Sequence, residues 1–111
     1  MKIYIVLYHA PGSFSKMMEK GSPKEHKKEM EAWMKWAKRC GKHLVDMGAP
    51  LSGGVNLTTS GTKPSKKNVV GYSILEAKDM VSAKKLLKNH PHLRWKKGCD
   101  IEVHEASHEK M

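Results

Sequence analysis

The first strand of this chain has no polar side. Residues 2 to 8 place Ile3, Ile5 and Leu7 on one face and Tyr4, Val6 and Tyr8 on the other. An antiparallel sheet with one face in water alternates apolar with polar residues. The run from Val69 to Ala77 is also mixed, with Val70, Tyr72 and Ile74 opposite Val69, Ser73 and Leu75. A sheet built on these strands needs cover on both faces. Helices of the same chain cover one. A second copy, related by a symmetric dimer, is the simplest cover for the other.

The remaining segments fix the order of elements. After the first strand, residues 9 to 22 carry Pro, Gly and Ser, and fourteen residues is long for a connection, as in binding loops and lids. Ser22-Pro23-Lys24-Glu25 is a helix start: Ser22 can cap, Pro23 suits the first turn and Glu25 completes a capping box. Met30, Trp33, Met34, Ala37, Cys40, Leu44 and Val45 then recur at helical spacing. They predict a helix from 23 to 47, with Gly41 as a weak interior point and Gly48 as the stop. Residues 49 to 57 read as a short kinked strand, 58 to 68 as a Lys-rich turn, and 69 to 77 as a strand. Asp79 caps a second helix that Pro91 ends, and 100 to 106 form a last strand.

The order βαββαβ predicts an α+β fold: a ferredoxin-like sandwich with a four-stranded antiparallel sheet and both helices on one face. A chain of 111 residues holds one such domain, residues 1–106, with 107–111 as a polar tail. Dimerisation sheet to sheet then gives a dimeric α+β barrel.

No apolar run reaches the ~18 residues that cross a bilayer, and the N-terminal run lacks a small-residue cleavage site. Cys40 and Cys99 have no metal or redox spacing, and they read as reduced thiols of a cytoplasmic protein. The charge of +10 comes from 19 Lys and only two Arg, Arg39 and Arg94. Base and phosphate readers lean on Arg, so this coat reads chiefly as a solvated surface.

Histidine, the side chain that exchanges protons near neutral pH, is abundant, at seven residues. His26 lies on the long helix's apolar stripe. His90 and His92 flank Pro91, where a cation favours a helix C-terminus. His104 shares a strand face with Glu102 at ~7 Å, near enough to tune it but not to bond it directly. Tyr4, Tyr8, Tyr72 and Ser73 offer polar tips to an apolar cavity, the mix that small-molecule sites use. The spacing of His90, His92 and His104 matches no metal-ligand pattern, and no metal is expected. No dinucleotide, phosphate-loop or nucleophile-elbow motif occurs, so the expected chemistry is free of cofactors.

Met1–Tyr8, Met30-Glu31-Ala32-Trp33-Met34, Gly71–Ala77, and Pro91-His92-Leu93 followed by Ile101-Glu102-Val103 together resemble the YCII-related family, including its DGPF branch. The resemblance implies a ferredoxin-like dimeric barrel. It also implies acid–base chemistry by a His–Asp pair in some members, and it directs attention to His92. At the DGPF position this chain reads Asn89-His90-Pro91-His92-Leu93, where only the proline matches. The available pair, His26 and Asp46, lies ~30 Å apart along one continuous helix, so no dyad is expected.

The expected function is therefore small-molecule binding or catalysis in a Tyr-lined cavity at the dimer barrel. His92, His104 and His26 are the acid–base candidates, and Tyr4, Tyr8, Tyr72, Ser73 and Glu102 the binding residues. Two alternatives remain. One is a regulatory dimer without a small ligand. The other is an RNA-recognition-motif-like module, with Tyr4 and Tyr72 as the stacking rings, although the third strand lacks that module's basic residue and later aromatics.

Overall fold

The computed structural model describes residues 1–11, 23–95 and 97–107. Most of the long loop (12–22), with the Ser22 cap, lies outside the described residues, as do positions 108–111 of the tail. The fold is α+β, built on a four-stranded antiparallel sheet of β1 (Lys2–His9), β2 (Leu44–Asp46), β5 (Val69–Ala77) and β6 (Asp100–Ala106). The strand order is β2-β5-β1-β6, which makes β1 central. A separate hairpin, β3 (Val55–Thr58) with β4 (Gly61–Pro64), pairs only with itself.

The pleat of β1 sorts the sheet into two faces. Opposed residues on antiparallel strands point to the same side. Tyr4 is paired with Leu75 and Glu105, and Val6 with Ser73 and Val103. Tyr4, Val6, Ser73 and Leu75 are all fully buried. Ile5 is paired with Ile74 and His104, and Leu7 with Tyr72 and Glu102, on the other face, where Ile3, Ile5, Leu7 and Ile74 stay half-buried.

Helices cover the Tyr4–Val6–Tyr8 face. They are α1 (Pro23–Cys40), α2 (Met80–Leu87) and the short α3 (Pro91–Trp95). Trp36 and Cys40 of α1 join Ala83 and Leu87 of α2 in one core with Tyr4, Val6, Tyr8 and Leu75. The Trp36 indole N–H donates to the Leu86 carbonyl at 2.8 Å, which ties the two helices together. Asp79 caps α2 as the sequence predicts, accepting from the Ser82 N–H at 2.8 Å.

Four segments differ from the sequence reading. The first helix ends at Cys40 rather than 47. Gly41 adopts φ +56°, the left-handed cap conformation, and a 3-10 turn over Gly41–His43 leads into β2. Leu44 and Val45 continue the apolar spacing but belong to that strand. The second strand of the sheet is therefore Leu44–Asp46 rather than 49–57, of which Pro50 forms an isolated bridge to Gly71. The Lys-rich turn contains β4. Finally, Pro91 opens α3 instead of closing α2, which ends at Leu87. Proline suits a first helical turn because its missing N–H has no partner there.

Gly48 has φ +84°, and a Cβ there would overlap the Tyr72 carbonyl oxygen. This approach holds residues 47–50 against β5, where Leu51 N–H donates to the Val70 carbonyl at 2.9 Å. Gly41 has the same handedness but open space around it. Gly41→Ala is expected to cost about 1–2 kcal/mol through its backbone alone. Gly48→Ala is expected to cost clearly more, because backbone on both sides must move. Urea denaturation of the two variants checks the order, and equal losses would mean that the close approach holds nothing.

Candidate functional site

A cavity of about 400 Å³ lies between α1, residues 47–50 and β5. Its volume is in the range of small-molecule sites. Met30, Trp33 and Met34 of α1 form one wall, and Met47, Pro50 and Val70 form the other. Met30 and Met34 are 61% and 48% exposed, so α1 does not bury the whole stripe that its sequence suggests. Trp36 turns inward instead, and the methionines are left over the cavity.

Four of the eight residues singled out in the sequence line this one cavity: Tyr8, His26, Tyr72 and His92. His26 Nε2 is shut off from solvent and has no hydrogen-bond partner among the described residues. A buried donor or acceptor without a partner costs about 1–3 kcal/mol. Among the described residues His26 Nε2 is the one buried side-chain polar atom without a partner, so a ligand can satisfy it at no loss to the fold.

Beneath the cavity runs a buried chain of hydrogen bonds. The His92 backbone N–H donates to His90 Nδ1 at 2.9 Å, which fixes the His90 proton on Nε2. His90 Nε2 then donates to the Tyr8 hydroxyl at 3.3 Å, Tyr8 donates to Ser73 Oγ at 2.7 Å, and Ser73 donates to the Met47 carbonyl at 2.7 Å. Trp33 and Trp36 pack edgewise on His90, at centroid distances of 4.5 and 4.3 Å. Burial holds His90 neutral, with its pKa lowered to about 3, and pushes the Tyr8 hydroxyl far above its ordinary value. His92 is also lowered by burial. The carbonyls of His9 and Asp100 oppose that shift, and His92 Nε2 donates to the His9 carbonyl at 2.8 Å. This chain is a rigid neutral floor. His90 therefore does not serve as a cation at a helix end: it is fully buried, and desolvation outweighs the helix dipole.

The other candidates lie elsewhere. Tyr4 is fully buried on the helix side, its hydroxyl 3.4 Å from Glu105 Oε1. His104 and Glu102 occupy the opposite face, on the exposed strand β6. They do bond directly, at 2.6 Å, contrary to the expected separation, because both side chains lean along the strand toward each other. His9 Nε2 reaches the same carboxylate at 3.0 Å. Hydrogen bonding to His104, and then to His9, holds Glu102 below the usual carboxylate range. The single Tyr-lined cavity between sheets expected from the sequence is thus divided by the pleat: Tyr4, Tyr8 and Ser73 face the helices, whereas Glu102 and His104 face away. Asp46 stands on β2 rather than in α1, so helix length no longer separates it from His26. Its carboxylate accepts from Gly48 N–H at 2.8 Å and from the Tyr72 hydroxyl at 3.4 Å.

Sequence reasoning missed His90 as the hub of the floor, and Met30, Met34, Met47 and Pro50 as walls. The signal for His90 was present: a histidine between two helices, one residue before a proline. Among the described residues no group of three or more His, Cys, Asp or Glu could hold a metal ion, and no helix is long and apolar enough to cross a membrane. No protein-family model matches this chain, and no curated protein matches it.

Tyr8→Phe leaves Ser73 and His90 each one partner short in a buried place. It is expected to lose about 1–3 kcal/mol in urea denaturation, whereas Tyr72→Phe, at an exposed contact, loses under about 0.5 kcal/mol. A second expectation concerns pH. Unfolded His90 titrates near ~6.5, but the native residue does so only at about 3. Below ~6.5 the unfolded chain takes up a proton that the native chain refuses, so stability falls as the pH drops toward 3. His92 adds in the same direction. Urea melts between pH 7 and pH 4 should show this slope, and His90→Gln should flatten it. An undiminished slope would place the proton uptake elsewhere.

Proposed function

We propose that this chain binds a small, mostly apolar molecule in the cavity beside α1, and that His26 is the group that meets its polar atom and exchanges a proton with it. The observation that carries this reading is the buried, unpartnered Nε2 of His26 in a wall made mostly of Met, Trp, Tyr, Val and Pro, which also includes Glu29 and His92. An apolar wall with few polar groups is what fixes the orientation of a small ligand. Methionine walls adapt to ligand shape, which suits a ligand class rather than one tight fit. The neutral Tyr8–His90 floor supplies rigidity and leaves the proton exchange to His26.

The strand order β2-β5-β1-β6 and the helices on one face support a ferredoxin-like fold, and with it the likeness to YCII-related proteins. The half-buried apolar face of Ile3, Ile5, Leu7 and Ile74 supports a homodimer formed sheet to sheet. On this reading the protein is a cofactor-free cytoplasmic binder or enzyme, with its cavity on the helix side of each subunit and not between the sheets. An RNA platform has less support, since the Tyr4 ring it needs is fully buried.

The test uses 1-naphthol, followed by the quenching of tryptophan fluorescence. The expected result is saturable binding at one molecule per chain, with loss of binding in Met34→Trp, which fills the cavity from an exposed position. His26→Leu should weaken binding about tenfold, the worth of one hydrogen bond to a buried group. Binding unchanged in Met34→Trp would end the proposal. Native mass spectrometry of the same samples should show about twice the 12.5 kDa chain mass.

A further inference from the structure

The chain spreads 19 lysines over its surface but has only two arginines, and both line one groove. The groove, about 510 Å³, runs between α1 and the junction of α2 with α3. Its cations are Lys28, Lys35, Arg39 and Arg94, against a single carboxylate, Glu29. Lysines alone would carry no argument here. The arginines do, because they are anchored on two consecutive residues: Arg39 Nη2 donates to the Lys88 carbonyl at 2.7 Å, and Arg94 Nη2 to Asn89 Oδ1 at 3.3 Å. Asn89 itself holds φ +60°, a turn that Asn tolerates better than most residues. Each guanidinium has five N–H donors in a planar fork, so one anchoring bond leaves most of them to spare. None of the four cations forms an ion pair among the described residues.

Between the cations the groove is aromatic. Trp36 lies at its base, but at 2% exposure it belongs to the core and offers the groove almost no surface. The ring surface comes from Trp33 and Trp95, both half-buried. Fixed guanidinium forks recognise oxyanions in two-point geometry, and indole surfaces favour flat rings. The volume suits one small molecule.

We infer that this groove binds a planar aromatic molecule carrying a phosphate or a carboxylate. The ring lies against Trp33 and Trp95, and the oxyanion meets Arg39 and Arg94, with Lys28 and Lys35 adding long-range attraction. The groove is distinct from the Met-lined cavity, although Glu29, Trp33 and Trp95 border both.

Calorimetric titrations with 1-naphthyl phosphate, 1-naphthoate, inorganic phosphate and a 20-nucleotide single-stranded RNA test the inference. One or both aromatic anions should bind at one per chain, at least about tenfold tighter than inorganic phosphate. Arg39→Gln with Arg94→Gln should weaken that binding about tenfold or more. Because Arg39 also supports the Lys88 carbonyl, a second double variant at exposed positions, Lys28→Gln with Lys35→Gln, should weaken it severalfold with the fold untouched. Lys63→Gln with Lys66→Gln removes the same charge from elsewhere and should change little. Met34→Trp should leave the anionic probe bound, which separates this groove from the cavity that takes 1-naphthol. The inference is overturned if inorganic phosphate binds as tightly as the aromatic anions, or if the Lys63/Lys66 variant weakens them as much as the arginine variant. It is also overturned if Met34→Trp removes their binding, or if the RNA outcompetes them.

Discussion

The hydroxyl of Tyr8 is the point on which this structure turns. It takes a proton's worth of bonding from His90 and passes one to Ser73, which passes one to the Met47 carbonyl. Those four residues come from the central strand, the helical junction, the neighbouring strand and the segment that follows β2. One line of hydrogen bonds therefore ties the sheet to the helical junction and to the segment after β2. Every donor in it points the same way, because the His92 backbone N–H occupies His90 Nδ1 and leaves no other tautomer. Chains with aligned donors polarise one another and strengthen. In exchange the imidazole and the phenol give up acid–base chemistry, which the molecule must place on groups outside the line.

That division of labour follows from the pleat of β1. A residue shifted by one position on this strand changes sides, so Tyr4, Val6 and Tyr8 build the core while Ile3, Ile5 and Leu7 face outward. Two sets of histidines follow the same rule. His90 and His92 lie under the helices and are neutral, whereas His9 and His104 bracket the Glu102 carboxylate on an exposed edge. Among the described residues, only His26, on α1, combines shelter with an unoccupied nitrogen.

Much of this was legible in the residues. The bounds of β5 and β6 agree with the sequence reading, since alternation over seven to nine residues leaves little freedom, and the Asp79 cap is a local signal with a local cause. The end of α1 was not legible. Cys40, Leu44 and Val45 satisfy a helical period through Gly41, and only three-dimensional packing shows that β5 has a free edge for Leu44 to join. The β3–β4 hairpin was half hidden because Gly61-Thr62-Lys63-Pro64 has no apolar face to betray a strand. At the site, the residue types were recognisable: His26, Tyr8, Tyr72 and His92 do line one cavity. Which face each side chain occupies depended on register, and register is a tertiary property. His90 was read by its position at a helix end, where the dipole favours charge, whereas burial decides the matter.

The hairpin adds something to the behaviour of the whole chain. All eight of its strand residues are exposed, including Val55 and Leu57, and it makes no ladder with the main sheet. A lone two-stranded ribbon is marginally stable in water. Its amides therefore report their own opening and not that of the sheet behind them. The molecule consequently carries two clocks for hydrogen exchange. One is set by the Tyr8-centred core, and a much faster one ticks in a ribbon whose melting leaves the cavity, the groove and the β1 faces as they were.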